Sequence, residues 1–211
     1  MTKSLLELVH LKKIYHDKSG EVEAISDVSL DVKEKELLAI VGPSGCGKST
    51  ILSILAGVSK ESSGEINFSK ENLKIGYMLQ NDCLFPWRTI LDNCLLGLEI
   101  NHEVNDESKK KVISLLNTYG LGDFIDKYPS SLSGGMRQRA ALIRTLATNP
   151  DIILLDEAFS ALDFQSRIAL SDDVYRIIKK EQKTAIIVTH DIAEGIIRIR
   201  MTSIYIRLLL I

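Results

Sequence analysis

The chain has 211 residues, 45% of them hydrophobic, 26% charged and 6% aromatic, with a formal net charge of −2. That balance excludes a disordered, collagenous or coiled-coil chain and leaves room for one sizeable core with a smaller part attached. Near-neutral charge and sparse aromatics argue against a nucleic-acid partner. The three cysteines (Cys46, Cys83 and Cys94) show no paired spacing. They read as free thiols in a reducing compartment, not as disulfide or zinc ligands. Glu7 and Lys12 interrupt the first apolar stretch, so no signal-peptide core forms. No uncharged run nears the ~18 residues of a membrane span. A cytosolic chain is expected.

In chain order, alternation over 25–32 sets Val28, Leu30 and Val32 on one face and Ser29 and Asp31 on the other. This predicts a half-exposed antiparallel strand. Residues 37–41 are apolar on both faces, as in a central parallel strand covered by helices on both sides. Residues 65–68 and 74–79 predict two short strands. From 81 to about 147 the pattern turns helical. Lys109, Lys110 and Lys111 lead into Val112, Leu115 and Leu116, while Gly120, Gly122 and Pro129 act as breaks. The runs 152–155 and 185–188 return to the buried-strand type. The expected architecture is an α/β core interrupted by a helical insertion.

Directly after the first buried run stand Gly42, Pro43, Ser44, Gly45, Cys46, Gly47, Lys48, Ser49 and Thr50, followed by the helical pattern Ile51, Leu52, Ile54 and Leu55. The spacing fits G-x-x-x-x-G-K-[ST]. Glycines let successive backbone N–H groups turn inward around phosphate oxygens, and the helix start adds its partial positive charge. Lys48 is placed to bridge the β- and γ-phosphates and Ser49 to ligate Mg²⁺. Gly57 stands where the helix would end.

The run 152–155 leads into Asp156 and Glu157. An acid at the C-terminal end of a buried strand, beside a phosphate loop, is the expected second half of a Mg-nucleotide site. Asp156 is assigned to Mg²⁺ through water, and Glu157 to polarising the attacking water as general base. Between the two motifs, Ser133, Gly134 and Gly135 precede a helical face of Met136, Ala140, Ile143 and Ala147. They form a second helix start suited to an anion; alone, the same residues read as a serine-capped helix.

Taken together, these motifs resemble the ATP-binding subunits of ABC transporters over residues 4–194, closest to the ATPases of nitrate, sulfonate and taurine importers. The fold implied is a P-loop NTPase (RecA-like) core with a mostly parallel sheet, an N-terminal antiparallel β part and an inserted helical subdomain. In that scheme residues 1–80 and 148–211 make the core and 81–147 the subdomain. The phosphate loop is similar to Walker A, residues 152–157 to Walker B, and residues 132–139 to the signature motif, with Met136 where many members carry Gln. Gln80 matches the Q-loop glutamine that senses Mg²⁺ and the membrane partner. Ser160, Ala161, Leu162 and Asp163 match the D-loop, with Asp163 at the nucleotide. His190 matches the switch histidine of the γ-phosphate. Tyr15 takes the place of the adenine-stacking aromatic, and equally reads as an ordinary exposed tyrosine. His10, His16 and His102 read as surface residues.

The resemblance implies ATP and Mg²⁺ as cofactors and a head-to-tail dimer in which each ATP lies between one subunit's phosphate loop and the other's signature. It also implies transmembrane permease subunits, and a solute-binding protein indirectly, with the chain peripheral on the inner face of the cell membrane. The segment Leu84, Phe85, Pro86, Trp87, Arg88 and Thr89 is similar to the importer segment that receives the permease. Its alternative is that Trp87 packs inside the helical subdomain. A soluble, non-transport ABC ATPase is the competing class; it lacks support because no coiled-coil insertion or second cassette is present.

Two departures stand out. Lys35-Glu36 replaces the usual Gly-Glu before the first core strand. After Glu194 the family continues with a helix, an Asp-Arg pair and a strand, whereas residues 195–211 hold three arginines and no acid. One reading is a truncated or altered tail, leaving an ATP-binding remnant with 185–188 open on one flank. The other is that 203–209 still form the last sheet strand.

Overall fold

Each buried run of the chain splits its side chains between two layers, and this parity sets the architecture. The computed structural model describes residues 4–18, 20–157, 164–189 and 206–210, with the backbone alone for 164–170 and 206–210. A five-stranded parallel sheet runs in the order β5-β6-β7-β3-β8. Its strands are β3 (Leu37–Val41), β5 (Ile75–Met78), β6 (Ile152–Asp156), β7 (Thr184–Thr189) and β8 (Ile206–Leu210). Leu38, Ile40, Ile152, Leu154, Ile186 and Val188 point to one layer; Leu37, Ile153, Leu155, Ala185 and Ile187 point to the other.

The first layer is closed by α1 (Lys48–Leu55) and by a three-stranded antiparallel sheet of order β2-β1-β4. That sheet comprises β1 (Ser4–Asp17), β2 (Gly20–Lys33) and β4 (Ser63–Phe68). Leu5, Leu6, Leu8, Leu11, Ile25, Leu30 and Val32 supply its buried face. The second layer is filled by α2 (Ile90–Ile100), α3 (Asp106–Thr118), α4 (Gly134–Ala147) and α5 (Phe164–Lys180). The first three of these stand between β5 and β6 in the chain. On α4, Ala140, Ile143 and Ala147 are buried and Met136 packs against the same cluster.

One strand is added to the expected set, and two of the alternative readings fall. The N-terminal strand β1 is 14 residues long and pairs with both β2 and β4, although its own pattern is broken by bulges that reset its register. Residues 185–188 do not border an open flank, because β7 lies between β6 and β3 and these residues are fully buried. The flank belongs to β3, and β8 pairs along it in parallel from Leu37↔Ile206 to Val41↔Leu210. Finally, Trp87 does not pack inside the helical part: it is 70% exposed.

Lys35 adopts φ +61°, the left-handed region that glycine enters freely and other residues enter at a cost of about 1–2 kcal/mol. Its amide donates to Thr184 Oγ1 at 2.8 Å and its Nζ to Gln182 Oε1 at 2.9 Å. Those bonds, and the turn bond from Glu36 N to Lys33 O, hold the departure from Gly-Glu in place. Among the described residues, no helix is long and apolar enough to cross a membrane.

Candidate functional site

The C-terminal ends of β3, β5 and β6 lie on one edge of the parallel sheet, where ligands of open α/β folds gather. β3 runs into residues 42–47, and α1 begins at Lys48 with Gly47 at its N-cap. Gly45 and Gly47 take φ of +84° and +96°. A Cβ at Gly47 would stand 2.2 Å from the Ala24 carbonyl oxygen, so the turn and its contact with β2 require glycine. No side chain caps α1, which leaves its first amides for an external acceptor. At its other end Gly57 takes φ +72°, with its amide bonded to Ile54 O and that of Val58 to Ser53 O, closing the helix.

Lys48 is buried, and its ammonium donates to Gly42 O at 2.8 Å and Pro43 O at 2.7 Å. The charge is thus folded into the loop's own concavity, where phosphate oxygens are far stronger partners. Cys46 Sγ lies 3.8 Å from the same ammonium. Pro43 and Ser44 are exposed on the loop, and Thr50 is half-buried in the first turn of α1.

Ser49 donates its hydroxyl to Asp156 Oδ1 at 2.7 Å, joining the phosphate loop to the end of β6. The other oxygen, Asp156 Oδ2, accepts from the Tyr77 hydroxyl at 3.1 Å. Burial pushes the Tyr77 hydroxyl up to about 12, so it is a donor at neutral pH. The donor set fits Mg²⁺: one hydroxyl and one buried carboxylate at a phosphate loop suit an ion that keeps several waters. Among the described residues no group of three or more His, Cys, Asp or Glu forms an all-protein cage.

Glu157 follows with φ +43°, a left-handed backbone for a non-glycine residue, and its amide donates to Val188 O at 3.1 Å. Strain of this kind gathers where a side chain must be aimed. Gln80 is exposed two residues beyond β5, and its carbonyl accepts from Gln138 Nε2 at 3.3 Å. Ser133 is the N-cap of α4, its hydroxyl accepting from Met136 N, with Gly134 and Gly135 in the first turn. Tyr15 is 42% exposed near the end of β1, with Lys13 Nζ 4.8 Å from its ring centroid. Ser160, Ala161, Leu162, Asp163 and His190 lie outside the described residues. His10 and His16 sit in exposed pairs with Asp27 and Glu21.

In the exposed loop before α2, Phe85 and Trp87 stack with centroids 5.1 Å apart. Arg88 is engaged by both carboxylate oxygens of Glu99 at 2.7 Å. The segment is stapled by Asn93, a fully buried residue that the sequence patterns did not single out. Its Nδ2 donates to the carbonyls of Phe85, Arg88 and Thr89, and its Oδ1 accepts from Phe85 N. The backbone polar groups of the loop are thereby satisfied while the aromatic pair faces outward. Tyr77 was missed in the same way, since its partner is 79 residues distant.

A family model described as ABC transporter matches residues 25–160. The chain is 48% identical over 198 residues to "Uncharacterized ABC transporter ATP-binding protein YtlC" of Bacillus subtilis (strain 168), covering 92% of this chain and 76% of that protein. It is 39% identical over 183 residues to "Taurine import ATP-binding protein TauB" of Jannaschia sp. (strain CCS1), covering 84% and 68%. Among solved structures, the dimeric post-hydrolysis state of the ATP-binding cassette MJ0796 bound to ADP and Pi superposes with TM-score 0.76 at 32% identity. It covers 90% of each chain.

Proposed function

The chain belongs to the ABC transporter family, as an ATP-binding, ATP-hydrolysing subunit, and from that premise we propose that it drives import of a small solute of the taurine, sulfonate or nitrate kind. The observation that carries the catalytic part is the Ser49–Asp156 hydrogen bond. It unites the two halves of a nucleotide site that are 107 residues apart in the chain. The importer part rests on the similarity to a taurine import protein and on the outward aromatic pair at 85–87.

In this reading ATP lays its phosphates on residues 42–50, and Lys48 exchanges its bonds to Gly42 O and Pro43 O for β- and γ-phosphate oxygens. Ser49, Asp156 and Gln80 hold Mg²⁺, which neutralises phosphate charge when bound. Glu157, aimed by its left-handed backbone, takes the proton of the attacking water. His190 holds the γ-phosphate, Asp163 stands at the nucleotide, and Tyr15 stacks on adenine. The helical insertion 81–147 carries Ser133, Gly134 and Gly135 to the nucleotide of a second subunit, head to tail. Phe85, Pro86, Trp87 and Arg88 dock on a permease, placing the chain on the cytoplasmic face of the membrane. The solute-binding protein acts only through that permease.

The test is phosphate release from ATP by the purified chain, with Mg²⁺ and with excess EDTA. Turnover requires Mg²⁺ and is lost in Lys48→Ala, which removes the ammonium that the phosphates would engage. Full turnover in that variant would refute the phosphate-loop assignment.

A further inference from the structure

The Asp156 carboxylate has a donor on each oxygen, and the second donor comes from a strand that the motif reading left without a role. Tyr77 is on β5 and pairs with Leu154 of β6, two residues before Asp156. Period-two alternation therefore puts the Tyr77 and Asp156 side chains on the same face of the sheet, the face covered by α1. There the ring packs against the apolar cluster that holds Ile51, Leu52, Ile152 and Leu154. Its hydroxyl reaches Asp156 Oδ2 at 3.1 Å, while Ser49 occupies Oδ1 at 2.7 Å.

We propose that Tyr77 is a positioning residue of the metal–nucleotide site, fixing the rotation of the Asp156 carboxylate so that Oδ1 stays on the Ser49 side. The inference rests on the reading of Asp156 as the metal-holding acid. A carboxylate bonded on one oxygen alone can turn about its Cβ–Cγ bond; bonded on both, by groups on β5 and α1, it cannot without breaking one bond. Each oxygen still has a lone pair free to accept from metal-bound water. Outer donors of this kind orient first-contact ligands, and their loss lowers metal affinity by about 10–100-fold. The anchor is a half-buried ring on a paired strand, packed against the cluster shared by β6 and α1.

The experiment uses the full chain, wild type and Tyr77→Phe, with Asp156→Asn as reference. ADP affinity is measured in EDTA, and Mn²⁺ affinity of the ADP-loaded protein by electron paramagnetic resonance. For Tyr77→Phe we expect unchanged ADP affinity in EDTA and Mn²⁺ affinity reduced about 10-fold. Asp156→Asn should lose more. Wild-type Mn²⁺ affinity in Tyr77→Phe, with loss in Asp156→Asn, would overturn the positioning role and leave the metal reading intact. Wild-type affinity in Asp156→Asn would overturn both. If Mn²⁺ affinity stays at the wild-type level in Tyr77→Phe but falls in Tyr77→Met, the ring acts by packing alone and the proposal fails. A fall of metal-free ADP affinity in Tyr77→Phe would place the hydroxyl's effect on the phosphate loop instead of the metal-holding carboxylate, and would overturn it too.

Discussion

Arg137 Nε donates to Asp82 Oδ2 at 3.0 Å, tying the first turn of α4 to the segment just beyond Gln80. Two further α4 side chains repeat the attachment. Arg144 donates to the carbonyls of Asp82 and Cys83, each at 2.7 Å, and Gln138 Nε2 to that of Gln80 at 3.3 Å. Burial lowers the Arg144 pKa, yet the guanidinium stays charged at neutral pH, as guanidinium groups in proteins do. Residues 80–83 are therefore carried by the helix that starts at Ser133, and the bend they form includes Cys83 at φ +48°. The sheet edge that holds Asp156 and the helix start that faces outward are joined through this one bent segment.

Glu157→Gln should keep ATP binding and lose hydrolysis by about 10²–10⁴-fold, the usual contribution of a positioned base. The change keeps Cβ and size, so the strained backbone at φ +43° stays as it is. Single-turnover phosphate release beside nucleotide affinity separates the two effects. Wild-type turnover would remove Glu157 as the base.

Ser133→Arg replaces the N-cap hydroxyl of α4 with bulk and charge at its exposed start. Loss of the cap alone costs about 1 kcal/mol and should leave the monomer folded. Activity should fall, and in mixtures with wild type it should fall faster than simple dilution. A linear decline with the variant fraction would argue against sites shared between subunits.

The turn at 42–47 and the helix after it were legible in the sequence because closely spaced glycines supply the positive φ that the turn needs, and β3, β6 and β7 because burial on both faces leaves an unbroken apolar run. Other features depend on register between distant strands, which no local pattern carries. Tyr77 meets Asp156 only because β5 and β6 pair in parallel with Tyr77 opposite Leu154. Asn93 looked like one more polar helix residue, although it satisfies three carbonyls and one amide of the preceding loop. Strand order was equally hidden: three buried runs do not say which of them lies in the middle.

Trp87→Ala should leave folding and basal ATP turnover unchanged, because the side chain is 70% exposed and touches Phe85 from outside. Recovery with co-expressed membrane subunits should weaken by about 30-fold in affinity, as for a central aromatic anchor worth ~2 kcal/mol. Quantitative co-purification from detergent-solubilised membranes measures it. Equal recovery of the variant would remove the aromatic pair from the docking surface.

Deletion of residues 206–211 tests what the last strand does. β8 pairs with all five residues of β3, whose side chains are buried on both faces and which leads directly into the phosphate loop. Without β8, one ladder edge of β3 would offer unpaired amides and carbonyls beside an apolar strand, a template for association with another chain. Each lost backbone hydrogen bond contributes about 0.5–1.5 kcal/mol net, so a few of them are a large part of a total stability of about 5–15 kcal/mol. The shortened chain should melt several degrees lower, at ~2–4 °C per kcal/mol for a domain of this size, and should aggregate on heating. Both chains must be compared at saturating Mg-ATP, since bound nucleotide stabilises the folded state. An unchanged melting temperature would show that β3 is held by β7 and the two flanking layers alone.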